Sequence, residues 1–154
     1  MPRIEVIRAD KNTLKWVDSD TRPLSEGFRL FRDETLELRV SMFDTLTSDT
    51  DLSGKLYKLG IKDPANLAGE YLAETTDITA AFTDLAAGDI GFLLVAASSA
   101  IDTFISASEC EKQGVAEIIE IDGTGAEVQI IAHDNCRVMP DLNRGTETTT
   151  TTTT

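Results

Sequence analysis

Apolar and polar residues alternate twice between Glu34 and Pro64. In the first run Leu36, Leu38, Val40 and Met42 fall on one side of an extended chain, since neighbouring strand side chains point to opposite faces. A polar loop ending in Asp51-Leu52-Ser53-Gly54 follows, and a second run places Tyr57, Leu59 and Ile61 together. Two half-buried strands of this kind predict a sheet packed on one face, as in a β-sandwich. Ile90-Gly91-Phe92-Leu93-Leu94-Val95 is continuously apolar and predicts a strand buried on both faces. A further short strand is expected at Leu67 to Leu72, and one helical turn over Thr83 to Gly88, stopped by the glycine.

The late hairpin is the clearest local signal. Val115 to Ile121 and Ala126 to Ala132 flank Asp122-Gly123-Thr124-Gly125, whose glycines and aspartate suit a tight turn. Val128, Ile130 and Ala132 are expected on one face, with Glu127 and Gln129 on the other. A last short strand over Arg137-Val138-Met139 is stopped by Pro140. One helix is expected at about 99–110, with Ser99 and Asp102 resembling a capping box and Ile101, Phe104, Ile105 and Ser108 forming its packed stripe.

Before this core, residues 1–33 read as an arm. Ile4 and Val6, then Leu14 and Trp16, suggest two short strands around the turn-like Asp10-Lys11-Asn12, and Pro23 marks a loop. Phe28 and Leu30 resume the alternation. After Gly145 the composition collapses to threonine and glutamate, ending in Thr148 to Thr154. Such a run has no apolar period and cannot bury a core. It reads as a linker or tail, a glycosylated stalk, or an extended β segment stacking threonines between copies. The division is therefore arm 1–33, sandwich 34–140 and Thr-rich tail 141–154.

Composition narrows the function. Asp and Glu number 27 against 14 Lys and Arg, a formal net charge of −13. So acidic a surface repels nucleic-acid phosphates and anionic headgroups, and neither nucleic acid nor membrane is an expected partner. The first residues lack the apolar core of a secretory signal, and no apolar run approaches membrane-spanning length. Synthesis in the cytoplasm is expected, which is compatible with release in a particle. Cys110 and Cys136 are too few for a disulfide framework and match no zinc spacing, so both are expected as reduced, buried thiols.

No motif builds a convincing catalytic or metal centre. Asp49-Thr50-Asp51-Leu52-Ser53-Gly54 resembles the start of a calcium loop, but the twelfth position is Gly60, not a bidentate glutamate. His133 and Cys136 are close in sequence, which by itself orients neither. Gly123-Thr124-Gly125 lies between strands, with no helix N-terminus to hold phosphate. Glu117, Glu120 and Glu127 alternate along the hairpin, the pattern of a solvated sheet face. Trp16 reads as a packing anchor before a sugar-stacking platform. No catalytic residue, cofactor or metal is assigned.

The order of elements over residues 34–139 resembles the immunoglobulin-like β-sandwich domains of tailed-bacteriophage virion proteins, of the baseplate upper protein and fibre type. The residues carrying the resemblance are TLELRV at 35–40, DLSGKLYKLGIKDP at 51–64, AAGDIGFLL at 86–94 and VAEIIEIDGTGAEVQII at 115–131. The resemblance implies a mainly β, Ig-like antiparallel sandwich acting as a fibre, baseplate or capsid-decoration subunit. Its partners would be other virion structural proteins, in a homo-oligomer that phage fibres suggest is a trimer. The arm, through Ile4, Val6, Leu14 and Trp16, would dock by adding strands to an exposed edge. The alternatives are a carbohydrate- or cell-surface-binding module, which needs an exposed aromatic platform, and a small acid-catalysed hydrolase subunit, which needs two carboxylates converging in a cleft.

Overall fold

The computed structural model describes residues 2–20, 22–24, 27–48, 50–105 and 110–140. Among these residues the fold is a mainly β sandwich with one short α-helix. One sheet has the order β2-β1-β4-β7, formed by Lys15–Val17, Arg3–Asp10, Thr35–Phe43 and Asp89–Val95. The other has the order β3-β9-β8-β5-β6, formed by Arg29–Phe31, Glu127–Met139, Lys112–Ile121, Leu56–Lys62 and Ala73–Thr75. Most pairings are antiparallel, but β1 runs parallel to β4 and β3 parallel to β9. Both parallel pairs are possible because the chain crosses to the facing sheet between their members.

The alternating runs do what their period requires. Leu36, Leu38, Val40 and Met42 of β4 are all buried, and so are Tyr57, Leu59 and Ile61 of β5. They meet Ile90, Phe92, Leu94, Ala116, Ile118 and Val138 in one interior. Full burial of each aliphatic side chain contributes about 1.5–3 kcal/mol relative to exposure. The arm shares that interior: Ile7, Ala9, Trp16, Phe28 and Leu30 belong to the same core.

Two seams close the sandwich. On one side Trp16 is fully buried, its indole N–H donates to the Asn135 carbonyl at 2.8 Å, and its backbone N–H donates to the Asp134 carboxylate at 3.0 Å. The chain returns past this seam through Gly27, whose φ is +65° and where a Cβ would lie 2.0 Å from the Asn135 oxygen. Only glycine fits so close an approach in that conformation. On the other side the chain leaves β6 and pairs with β7, Thr79 donating to the Gly91 carbonyl and Leu93 donating to that of Asp77.

Several local expectations are corrected. The helix α1 spans Ser99–Phe104, and its cap is Ser98, whose hydroxyl accepts from the Ile101 N–H. Ser98 is the residue in extended conformation there, so it, and not Ser99, can reach back to the first turn. Ile101, Phe104 and Ile105 pack inward as expected, while Ser108 lies outside the described residues. Leu67 to Leu72 form turns instead of a strand, because Asn66 donates to Asp63 and Gly69 to Asn66 after Pro64; the strand begins at Ala73. Arg137 to Met139 continue β9 and make no separate strand. The predicted turn at Leu85–Ala87 is present as a 3-10 turn, closed by Gly88 at φ +83°. The apolar run of β7 is buried over Ile90 to Phe92, with Val95 exposed at its end.

Asp10 organises the turn between β1 and β2. Its buried carboxylate accepts from the N–H groups of Asn12 and Thr45 and from the hydroxyls of Thr45 and Thr13. Burial works to raise its pKa, yet these four donors outweigh burial and hold it below the ordinary 3.8. A depressed folded-state pKa adds stability above the unfolded value, which is lost as pH falls through the folded one. Asp10→Ala is expected to lower stability by about 1–3 kcal/mol, read by urea denaturation near neutral pH, because buried donors lose their acceptor. The difference from the unsubstituted protein should shrink as pH drops below 3.8; a constant difference would refute this role. Trp16→Ala should cost about 3–5 kcal/mol in the same assay, since it empties the seam.

Candidate interaction surfaces

The four arm residues proposed for docking divide by position. Leu14 sits in the turn after β1 with φ +65°, and its carbonyl accepts from the His133 N–H at 2.7 Å. Trp16 is interior. Both tie the arm to β9. Ile4 and Val6 lie on the outer face of the β2-β1-β4-β7 sheet, Val6 being 68% exposed. The period of two puts them there while Ile7 and Ala9 point inward.

The backbone of β1 is unequally satisfied. One edge is paired with β4 from Arg3 to Asp10. The other is paired with β2 only over Arg8 to Asp10, because β2 is three residues long. Along Arg3 to Ile7 that second edge has no backbone partner among the described residues. The side chains at this edge are ordered by charge: Arg3 bonds both carboxylate oxygens of the buried Glu34, at 2.7 and 3.0 Å, and also pairs with Glu5. Burial works to lower the pKa of the Arg3 guanidinium, but Glu34 and then Glu5 raise it above its ordinary value. A bidentate pair of this sort holds the strand's start in place.

A second open edge lies at the far end of the same seam. Residues 127–132 of β9 have no backbone partner opposite β8 among the described residues. Register shifts between Ile118 and Ile119 and between Glu120 and Ile121 insert Ile131 and Val128 as extra residues. The regular alternation expected here therefore breaks: Val128 and Ile130 are exposed, while Ile131 and Ala132 are both buried.

The outer face of the other sheet carries a polar cluster, and here the sequence reading is corrected. Glu117 is only 4% exposed, not solvated, because Tyr71 reaches across β5 to it. Gly60 makes the space, since a Cβ there would lie 2.3 Å from the Tyr71 ring. Tyr71 Oη donates to Glu127 at 2.7 Å and lies 3.5 Å from Glu117. Lys58 pairs with Glu127 at 2.9 Å and Glu74 at 3.2 Å, while Glu117 meets Lys62 at 3.8 Å and His133 at 3.5 Å. Both lysine ammonium groups also lie against the Tyr71 ring.

Two carboxylates thus converge on one hydroxyl, and the pair Tyr71–Glu127 is shifted in opposite directions. Burial and the Glu127 bond push the Tyr71 phenol far above its usual range, so it stays a donor. The Tyr71 and Lys58 bonds hold Glu127 below the usual carboxylate range, the reverse of what a general acid needs. A depression of about 350 Å³ beside this cluster is lined by Lys58, Glu74, Thr75, Thr76 and Gly125.

The other sequence candidates stay apart. Cys136 is buried and its thiol is pushed up to about 12 by burial, whereas His133 faces outward toward Glu117. Cys110 is exposed, correcting the expectation of two buried thiols; it lies before the start of β8, outside the strand. The Asp51 carboxylate is occupied by the Ser53 N–H and hydroxyl, and the chain from Leu56 continues as β5; Asp49 lies outside the described residues. The described residues hold no group of three His, Cys, Asp or Glu able to bind a metal ion. No helix is long and apolar enough to cross a membrane among them. The tail 141–154 lies outside the described residues.

No protein-family model and no curated protein match this sequence. Among solved structures, the chain is similar to the N-terminal domain of phage TP901-1 ORF48, with a TM-score of 0.49 and 8% identity, covering 90% of this chain and 98% of that one. At that level no residue's role transfers. The polar cluster is tested by Tyr71→Phe, expected to cost about 0.5–1.5 kcal/mol in urea denaturation, the worth of one hydrogen bond. Glu127 should then titrate at higher pH in an NMR titration, because it loses the bond that lowers it most. Unchanged Glu127 titration would show that the hydroxyl does not hold it.

Proposed function

We propose that this chain is a bacteriophage virion structural protein, a fibre, baseplate or capsid-decoration subunit. It acts as a rigid, non-catalytic scaffold that docks on other virion proteins through its amino-terminal strand. The observation that carries this reading is the first half of β1, with one edge free among the described residues and Ile4 and Val6 exposed on its outer face. Exposed backbone N–H and C=O groups beside apolar side chains are a template for a neighbouring strand. The rest of β1 is held by β4, β2 and the Trp16 seam, so the docking strand is presented by a stiff body. The sequence resemblance to virion sandwich domains supplies the setting.

Among the described residues the two alternatives lack a comparable feature. Trp16 is interior, and both lysines rest on Tyr71, which leaves neither ring as a sugar platform. The converging carboxylates are matched by cations, and Glu127 shifts against acid catalysis.

The reading is tested on particles purified from cells in which the chain is expressed with its phage. The chain is expected in the particles at fixed stoichiometry by mass spectrometry. An Ile4→Glu/Val6→Glu variant should keep its circular-dichroism spectrum and thermal midpoint, because both side chains are exposed, yet be lost from particles. Absence of the unsubstituted chain from particles, or full incorporation of the variant, would overturn the proposal.

A further inference from the structure

The geometry points to a second copy of this chain as the occupant of the open β1 edge, paired antiparallel about a two-fold axis centred on Ile4. This rests on the docking reading: the strand added to the edge is the second copy's, and the pair meets other virion proteins through the outer face that carries Val6. In an isologous pair each residue faces the one that mirrors it, so the strand must be its own complement. Centring on Ile4 sets Ile4 against Ile4, Arg3 against the partner's Glu5, and Glu5 against the partner's Arg3.

Charge selects that register. Arg3 and Glu5 share one face of β1, two residues apart, each about a fifth exposed, and Arg29 lies 3.8 Å from the same Glu5 carboxylate. Joining two copies would link these groups into one alternating network of both signs. Shifting the centre by one residue sets Glu5 against Glu5, a like-charge contact that is unfavourable across strands. Centring on Val6 brings the partner strand against Arg8, where β2 already holds the edge. Centring on Ile4 also covers the exposed Ile4 side chains with each other and aligns Val6 of both copies along one outer face. That makes a wider apolar strip for the docking proposed above.

The open edge of β9 is a poorer site for a second copy. An antiparallel partner there would carry its own 122–126 loop alongside β2, which already occupies the seam from His133 onward. At β1 the paired strands lead away from each other's β2.

Sedimentation velocity of the full chain across a concentration series tests the pairing. A monomer–dimer equilibrium is expected. Ile4→Lys and, separately, Glu5→Lys should each weaken dimerisation tenfold or more, because like charges then face one another across the axis. Ile4 is exposed, so its variant should keep the thermal midpoint. As a second measurement, Ile4→Cys in a Cys110→Ser background should oxidise to a covalent dimer, since opposed residues of an antiparallel pair stand at disulfide distance. A monomer throughout, an assembly larger than two, or a dimer untouched by Ile4→Lys together with failed cross-linking would overturn the inference. Particle incorporation without dimers in solution would remove the pairing and leave the virion role. Dimers without incorporation would do the reverse.

Discussion

Trp16 lies between the two sheets and donates its indole N–H to the carbonyl of Asn135, while its own backbone N–H is taken by Asp134. These bonds stand where β2 of one sheet meets β9 of the other, so the arm becomes one wall of the interior. Gly27 passes over the same point, leaving room for no side chain. With this seam in place, β1 is held against β4 for its whole length and Ile7 and Ala9 join the common core. The short β2 has a second consequence. It covers only three residues of β1, and the uncovered remainder is the edge on which the proposed docking depends.

The charge of −13 is distributed with the same economy of contact. Where carboxylates are buried, each has a specific set of donors: Glu34 takes the Arg3 fork, Asp10 takes the turn and Thr45, and Glu117 takes Lys62 and His133. Buried charge is tolerated only with such partners. The outer cluster around Tyr71 is consequently a lock across β5, β8 and β9, with the Tyr71 hydroxyl kept as a donor and the Glu127 carboxylate kept as its acceptor. A rigid body of this kind suits a scaffold, whose work is to hold a surface still.

Much of the fold was legible locally. The period of two in Leu36 to Met42 and Tyr57 to Ile61 named their strands and buried faces, and Asp122 to Gly125 named the hairpin. Local turns replaced the strand expected at Leu67 to Leu72, and the other errors arose where a non-local contact decided the outcome. Ser98 capped α1 because of its backbone conformation and bond to Leu72, not its spacing from an acidic residue. Glu117 looked solvated because alternation says which side of a strand a residue is on, not what later folds over that side. The bulges in β9 broke an alternation that appears regular in Glu127 to Ala132.

The amino-acid order by itself determined most of the segments that become strands, the apolar faces of β4 and β5, and the turn at Asp122 to Gly125, since these follow from backbone geometry within a few residues. It also showed that Ile4, Val6, Leu14 and Trp16 form an apolar set ahead of the core. Tertiary structure alone decided that Trp16 and Leu14 bind β9 while Ile4 and Val6 remain outside. That choice depends on how far β2 extends and on which carbonyls of β9 it meets, contacts more than a hundred residues apart in the chain. No local pattern can encode a pairing whose free energy comes from closing so long a loop around a shared interior.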